Sequence, residues 1–213
     1  MRDSGKTMLE ELISRAAKEL QGREKARDEA LNRARKARQL SKQAILFDHI
    51  KQHDKASSNL AIAHNLLEEA KSYIQTYPEL GYYEEVEAAL EEHAESQILH
   101  SLLINNKYPS PEQVGVTPTR YLLGLGDIPG ELRREALDAL RVGSLEDAQA
   151  HLNRMEEIYL NLVAMEDASL LKGLRRKLDV ARGVIEATRG EITAEAGRKR
   201  LSASIEKIGE KLN

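Results

Sequence analysis

Apolar residues recur at spacings of three and four along nearly the whole chain, and this pattern limits it to packed amphipathic helices. The 213 residues are rich in Ala, Leu, Glu, Lys and Arg, and include only five prolines, one phenylalanine and no tryptophan. This composition is typical of long helices rather than of a sheet. The sequence therefore predicts an all-α fold, with residues 1–213 forming a single domain without a linker.

Start and stop signals divide this pattern into helices separated by short breaks. In the segment SPEQVG, Ser110 and Gln113 are placed for a capping box and Gly115 for a stop, while Ser144 with Asp147 can cap a later helix. The predicted helices cover about 6–20, 23–50, 55–75, 82–104, 111–114, 118–142, 145–166 and 169–189, followed by a short terminal helix that starts after Gly190.

Composition excludes several classes of protein. The chain has no cysteine, which rules out disulfides, thiolate zinc sites and thiol nucleophiles and suits a reducing compartment. No run of about 18 apolar residues occurs, and acids interrupt the apolar pattern at the N-terminus, so neither a membrane span nor a secretory signal is expected. We therefore expect a soluble cytoplasmic protein. The six histidines are scattered, and none is assigned a role.

The net charge of −3 conceals two segments of opposite charge. The basic segment, residues 23–42, holds eight Lys or Arg against three Asp or Glu, which gives it a charge of +5. The acidic segment, residues 78–95, holds seven Glu and no Lys or Arg. A basic helix can bind phosphates and an acidic helix can bind cations, although either run can also be a solvated helix face.

The stretch 121–134, YLLGLGDIPGELRR, places three glycines and a proline inside a predicted helix. Pro129 cannot donate to the carbonyl of Leu125 and is expected to kink the helix, and each glycine weakens it by about 0.5–1 kcal/mol relative to alanine. Glycine lets a neighbouring helix approach closely, and a kink redirects the residues beside it. We therefore expect this stretch to pack against the acidic segment and to direct Asp127 and Glu131 towards it.

Four acidic residues form two pairs on helix faces. Asp127 and Glu131 are four residues apart, so both project from one side of their helix. Glu92 and Glu95 lie within an apolar stripe, where a carboxylate needs cations, hydrogen-bond donors or protons to offset its desolvation. Two such pairs facing each other would form an oxygen pocket suited to Mg²⁺ or Mn²⁺ rather than zinc. The alternative left open by the spacing is that each pair is held by nearby arginines, such as Arg120, Arg133 or Arg134.

The stretch 121–134 also resembles the signature of the translin family, Y-L-L-G-x-x-D-L-x-G-E-L-x-R. The matching residues are Tyr121, Leu122, Leu123, Gly124, Asp127, Gly130, Glu131, Leu132 and Arg134. The flanking VTP and RVGSLEDAQAHLNRMEEIYLNL are similar to the family as well, with Gly143 in the turn and Tyr159 near the helix end. Upstream, EEHAES resembles the E-x-x-E motif of translin-associated factor X, the catalytic member, with Glu92 and Glu95 on its two acids.

The resemblance implies a translin-like fold of about seven helices that assembles into a closed barrel, expected to be a homo-octamer. It also implies metal-dependent endoribonuclease activity on RNA held inside that barrel. The catalytic acids of the factor X branch fall on Glu92, Glu95 and Asp127, and the metal contacts on Glu95 and Glu131. Translin itself, the RNA-binding branch, has no acid at the position of Asp127, so the chain resembles the catalytic branch.

This chemistry agrees with what the residues offer. Phosphodiester hydrolysis needs a cation to polarise the phosphoryl group, a base, and stabilisation of the leaving oxygen. We expect Glu95 and Glu131 to bind Mg²⁺ or Mn²⁺. Glu92 and Asp127 are expected to act as further ligands, as water-orienting groups or as the general base, and the sequence does not distinguish these roles.

RNA binding is expected from the basic segment. Because the chain has few aromatic residues, contacts to phosphate and 2′-hydroxyl groups with weak sequence preference are favoured over base stacking. The candidate residues are Arg23, Lys25, Arg27, Arg33, Arg35, Lys36, Arg38 and Lys42. The expected partner is RNA, either single-stranded or as a short duplex, and single-stranded DNA is a second candidate. The chain is also expected to bind further copies of itself, and no membrane contact is expected.

Two residues depart from the family pattern, since His93 replaces the usual Tyr inside E-x-x-E and Pro129 occupies a position that is normally Thr or Ser. The main alternative function is a non-catalytic scaffold that binds single-stranded nucleic acid, like translin. A plain helical adaptor is a further alternative. A di-iron bundle would need Glu-x-x-His pairs on two helices, and the sequence contains none.

Overall fold

The computed structural model describes residues 7–165 and 171–212, which form eight α-helices and one 3₁₀-helix without any strand. The helices are α1 (Met8–His49), α2 (His53–Thr76), the 3₁₀-helix (Pro78–Tyr82), α3 (Glu84–Asn105), α4 (Pro111–Val114), α5 (Pro118–Leu125), α6 (Ile128–Arg141), α7 (Leu145–Val163) and α8 (Leu174–Leu212). The all-α class predicted from the apolar spacing is confirmed. None of these helices is both long and apolar enough to cross a membrane.

The first two predicted helices are one continuous helix, so the predicted stop at Gly22 is wrong. Thr7 begins α1 with a capping box to Glu10, and the helix then runs unbroken to His49. Gly22 lies inside α1, where a methyl group would be 3.3 Å from the Tyr77 hydroxyl oxygen. One glycine costs a helix about 1 kcal/mol, and the hydrogen bonds of a long helix outweigh this cost.

The short helix α4 and its capping signals are confirmed. The Ser110 side chain accepts from the Gln113 backbone N–H, and the Gln113 side chain accepts from the Ser110 backbone N–H. Gly115 follows with a φ of +79°, in the left-handed region that glycine adopts readily. A threonine cap at Thr117 then begins α5, as predicted.

The predicted helix over 118–142 is divided into α5 and α6, which corrects the mid-helix kink expected at Pro129. A tight turn at Gly126 and Asp127 separates the two helices, and α6 begins at Ile128. Pro129 therefore lies in the first turn of α6. Its missing N–H costs nothing at this position, because the first N–H groups of a helix have no helical acceptor.

In the last third of the chain, α7 begins at Leu145 as predicted, but its capping contact and one helix boundary differ from prediction. Ser144 precedes α7, but its hydroxyl donates to the Asp147 carboxylate at 2.6 Å instead of accepting from the backbone. The last helix, α8, is continuous through Gly190, so the predicted stop there and the separate terminal helix are wrong. Its predicted start near residue 169 lies outside the described residues.

The acidic helix α3 connects two groups of helices. On one side, α1 and α2 pack as an antiparallel pair, and α3 lies against α1. On the other side, α6, α7 and α8 pack together, and α5 lies against α3. The largest buried side chains of the main core come from α3 and from the second group, and include Ile98 and Leu99 of α3, Leu132 of α6, Leu152 of α7 and Leu174 of α8.

Two helix ends carry apolar side chains that the chain itself does not cover. No residue from 7 to 25 in α1 is buried, and none from 193 to 211 in α8 is buried. Apolar side chains nevertheless repeat at helical spacing there, with exposures between 47% and 65%: Leu9, Leu12, Ile13 and Leu20 in α1, and Leu201, Ile205 and Ile208 in α8. Exposed apolar stripes of this kind are typical of contacts with another chain.

Candidate active site

Gly124, near the end of α5, is the point of closest approach between α5 and α3. A methyl group on Gly124 would lie 2.8 Å from both the Glu91 carbonyl oxygen and the Glu95 backbone nitrogen. Only a hydrogen fits at this contact, so the close packing expected against the acidic helix is confirmed at this glycine. It does not extend to Gly126, which packs against α8, or to Gly130, where a methyl group would have no neighbour within 4 Å.

This contact brings the start of α6 beside the middle of α3, so that the four predicted acids form one electrostatic group, which we call the acid group. Glu95 is its centre, because burial and then repulsion from Asp127, Glu92 and Glu131 raise the pKa of its carboxyl to about 9. No side chain among the described residues donates a hydrogen bond to this carboxyl. At neutral pH it is therefore protonated unless a cation compensates its charge.

Cationic side chains hold two other members of the acid group. Lys177 of α8 forms an ion pair with Asp127. Burial raises the pKa of Asp127 all the same, although the Lys177 ammonium opposes the change. On the other side, Arg38 Nε and Lys42 Nζ of α1 lie 3.4 and 3.7 Å from the same oxygen of Glu92.

His49, at the end of α1, holds the fourth acid. Its Nε2 donates to Glu131 at 2.5 Å and its Nδ1 donates to Glu135 at 2.7 Å, so the ring carries both protons. Burial opposes this charge, but the two carboxylates outweigh burial and raise the pKa of His49. Glu135 is also buried, yet hydrogen bonds from His49 and Lys51 lower its pKa to about 2. The orientation of Glu131 is thereby fixed.

The acid group is coupled by charge but does not form a closed set of ligands. Within the described residues, no three of the four acids bring carboxylate oxygens within 4.8 Å of one another. Of the three arginines considered as alternative partners, Arg134 is exposed and the other two are engaged elsewhere. Arg120 pairs with two other glutamates of α3, and Arg133 pairs with Glu191 of α8. The cations that do hold the acids come from α1 and α8.

The end of the basic segment lies beside the acid group. Arg35 of α1 pairs with Glu85 of α3 at 3.0 Å, and two turns further along α3 Glu92 faces Arg38 and Lys42. The remaining candidates are either paired with other acids, as are Arg23, Arg27 and Arg33, or exposed, as are Lys25 and Lys36. Within the segment, Arg38 and Lys42 are therefore the basic residues that adjoin the acid group.

His93, which lies inside the E-x-x-E motif, is a packed core residue outside the acid group. Its ring is buried 5.9 Å from the ring of His64 on α2, and its Nδ1 lies 3.5 Å from the Ser41 hydroxyl oxygen on α1. Burial lowers the pKa of His93 to about 4, so the ring is neutral. At this departure from the family pattern, the side chain therefore packs α3 against α1 and α2.

The sequence profile of the Translin family matches residues 8–186. The chain belongs to the translin family. An uncharacterised protein of Methanocaldococcus jannaschii is 30% identical over 136 residues, and the match spans 63% of this chain and 60% of that relative's length. The chain thus covers less than two thirds of this curated relative.

Three solved structures share this translin-family fold. The crystal structure of apo-NeC3PO superposes with a TM-score of 0.80 at 27% identity, over 90% of this chain and 100% of that one. The AfC3PO complex with duplex RNA gives 0.80 at 34% identity, over 87% and 97%. The crystal structure of AfC3PO gives 0.78 at 35% identity, over 86% and 96%. The family predicted from the motifs is therefore confirmed.

Sequence reasoning missed two cations of this translin-family chain that hold the acid group. Lys177 lies in the basic run 175–177, and nothing in its local sequence distinguishes it from Arg175 or Arg176, although it is half-buried and they are exposed. His49 follows an aspartate at a helix end, and it meets Glu131 only because the fold brings the end of α1 beside the side chains of α6. The two partners of each contact are at least 50 residues apart in the sequence, so no local pattern indicates that they meet.

Proposed function

We propose that this translin-family chain is a metal-dependent endoribonuclease, which binds RNA and cleaves it with little sequence specificity inside an oligomeric barrel. The observation that carries the proposal is the Glu95 carboxyl, which accepts no hydrogen bond from the described side chains and is repelled by three further acids, while the positive charge of Lys177 offsets this repulsion only in part. A bound cation would relieve the repulsion. Similarity to AfC3PO, which has been solved with duplex RNA, supports RNA as the substrate class.

The residues of the acid group fit a hard divalent cation such as Mg²⁺ or Mn²⁺, because all four offer carboxylate oxygens. We assign metal binding to Glu95 and Glu131, with Glu92 and Asp127 as further ligands, as water-orienting groups or as the general base. The bound cation would supply the Lewis acid that polarises a phosphoryl oxygen. His49 holds Glu131 in one orientation through its Nε2–H, and Lys177 neutralises Asp127 when no cation is bound.

RNA would approach along the part of α1 that faces α3. Arg38 and Lys42 are within 3.7 Å of Glu92, so a phosphate that contacts these two cations lies beside the acid group. Contacts with phosphate alone give affinity without sequence preference. This arrangement therefore supports cleavage that depends little on sequence.

Assembly into a closed barrel, with a homo-octamer as the expected form, is supported by the two uncovered helix ends. Side chains at 47% to 65% exposure repeat at helical spacing on α1 and on α8. Burying such stripes against other copies would offset the cost of leaving them in water.

The alternative is a non-catalytic scaffold that binds single-stranded RNA or DNA. The observation that favours it is that Asp127, Glu131 and Glu92 are each held by a cationic side chain of the same chain. A group satisfied in this way needs no metal. The two functions differ in whether RNA is cut.

Cleavage of a labelled single-stranded RNA in Mg²⁺, Mn²⁺ or EDTA tests the proposal. We expect cleavage in either metal, none in EDTA, and none for Asp127→Asn or Glu95→Gln. RNA affinity should stay equal or rise in Asp127→Asn, which removes negative charge near phosphate, and stay equal in Glu95→Gln, which replaces a carboxyl that is protonated when no cation is bound. The matched control is Glu156→Gln on α7, which removes an acid that pairs with Arg189 of α8. This variant should cleave normally. Cleavage at the wild-type rate in both site variants would refute this assignment, and binding without any cleavage would favour the scaffold.

A further inference from the structure

Three side chains from three helices meet at the turn between α1 and α2, outside the acid group. Asp48 lies in the last turn of α1, His53 is the first residue of α2, and His100 lies on α3. The Asp48 side chain is fully buried. A buried carboxylate requires compensation, and here two imidazoles supply it.

Both imidazoles direct the same nitrogen at the carboxylate. His53 Nδ1 donates to Asp48 Oδ1 at 2.8 Å, and His100 Nδ1 lies 3.0 Å from both Asp48 oxygens. One ligand atom from each of the three side chains lies within 4.8 Å of the other two. Among the described residues, no other group of three His, Asp or Glu side chains meets this condition.

We propose that Asp48, His53 and His100 bind one divalent cation of the zinc type. Two imidazole nitrogens and one carboxylate oxygen are the ligand set of many zinc sites, whereas Mg²⁺ prefers oxygen alone. Tetrahedral bonds of about 2.0–2.2 Å place ligand atoms roughly 3.3–3.5 Å apart. The present nitrogen to oxygen distances of 2.8 and 3.0 Å need to widen by about 0.3–0.7 Å to reach this range.

Metal binding replaces the two hydrogen bonds to Asp48, and the buried carboxylate is compensated both before and after this exchange. In the metal-free state each ring donates its Nδ1 proton to Asp48. When the cation binds, each ring carries its proton on Nε2 instead, and Nδ1 presents a lone pair to the metal. The negative charge of Asp48 is then neutralised by the cation.

The site is open to ions and to a fourth ligand. The side chains of His53 and His100 are 32% and 18% exposed, and His100 also lines an open cleft with Gln97, Ser101 and Tyr108. Water can therefore reach the metal position and complete its coordination. A metal here would join the α1–α2 turn, which contains Lys51 at a φ of +60°, to the acidic helix α3.

Titration of the full-length protein with Co²⁺ and Zn²⁺, in a large excess of Mg²⁺ that occupies the acid group, tests this site. We expect one equivalent of Co²⁺ per chain with the strong visible absorption of a tetrahedral imidazole complex, and its displacement by Zn²⁺, whereas Co²⁺ bound by the oxygens of the acid group would be six-coordinate and absorb weakly. Zn²⁺ should also raise the melting temperature. Both effects should be lost in His53→Gln and in His100→Gln. They should persist in His64→Gln, the matched control on α2, and in Glu95→Gln, which alters the acid group.

Three results would overturn the proposal. The first is the absence of a saturable Co²⁺ band in the wild-type chain. The second is equal Co²⁺ uptake in the two site variants. The third is loss of uptake in Glu95→Gln, which would move the metal to the acid group. If circular dichroism shows that His100→Gln does not fold, His53→Gln decides the outcome, because His53 is the more exposed ligand at a helix start.

Discussion

The raised pKa of Glu95 predicts that replacing its carboxyl stabilises the protein when no metal is present. An ordinary glutamate titrates near 4.5, and burial together with the neighbouring acids raises the pKa of Glu95 to about 9. A raised acid pKa costs nothing below pH 4.5, and the cost grows as the pH rises from 4.5 towards 9. The wild-type chain should therefore lose stability over this range.

The size of this loss of stability follows from the difference between the working pH and the ordinary glutamate pKa of 4.5. At about 1.36 kcal/mol per pH unit, the cost at pH 7 is up to about 3 kcal/mol of unfolding free energy. Glu95→Gln keeps the size of the protonated carboxyl and removes this cost. The variant should therefore match the wild-type chain near pH 4.5 and exceed it by up to about 3 kcal/mol at pH 7 in EDTA.

Urea unfolding followed by circular dichroism, at one protein concentration and at about pH 5, 7 and 8.5, measures the difference. Glu85→Gln is the matched control on the same helix, because its carboxylate is exposed and Arg35 already compensates it. Mg²⁺ should raise the stability of the wild-type chain but not that of Glu95→Gln. A variant that is no more stable than the wild-type chain at the highest pH in EDTA would refute the reasoning.

Three further predictions concern packing, binding and assembly. Gly124→Ala should destabilise the fold by about 1–3 kcal/mol, because its methyl group meets α3 backbone, whereas Gly130→Ala should gain about 0.4–1 kcal/mol; urea unfolding compares the two, and equal effects would contradict the close contact. Arg38→Glu with Lys42→Glu should weaken RNA binding and flatten its salt dependence, and reversal of the charges at 198–200 should not; an unchanged salt slope would place the RNA surface elsewhere. Light scattering should give about eight times the 23.9 kDa of one chain, and a monomer at micromolar concentration would exclude the barrel.

The local pattern of the sequence was enough to predict the fold class and several boundaries. Apolar spacing depends on residues three or four apart, and the capping box of Ser110 and Gln113 involves one turn of helix. The close packing at Gly124 was predicted because glycine weakens a helix but lets a neighbouring helix approach closely. The family followed from motifs in the segments 92–95 and 121–134.

The same local reasoning failed where a single glycine was taken as the end of a helix, or a single proline as a kink. Gly22 and Gly190 both lie inside continuous helices, since a cost of about 1 kcal/mol is smaller than the gain from extending a long helix. Pro129 marks the start of α6 rather than a kink. Whether a helix continues through a glycine or begins at a proline depends on how neighbouring helices pack. The spacing of residues three or four apart does not contain this information.

By itself, the sequence determined that the chain is helical, which residues carry the family motif, and which acids belong together on each helix. Only the tertiary structure decided which cations hold them. Lys177 is 50 residues from Asp127, and His49 is 82 residues from Glu131. It also decided that Asp48 and His100, 52 residues apart, share a buried contact. Charge interactions depend on distance in space, and distances between helices are set by the docking of their apolar faces, so no local pattern contains them.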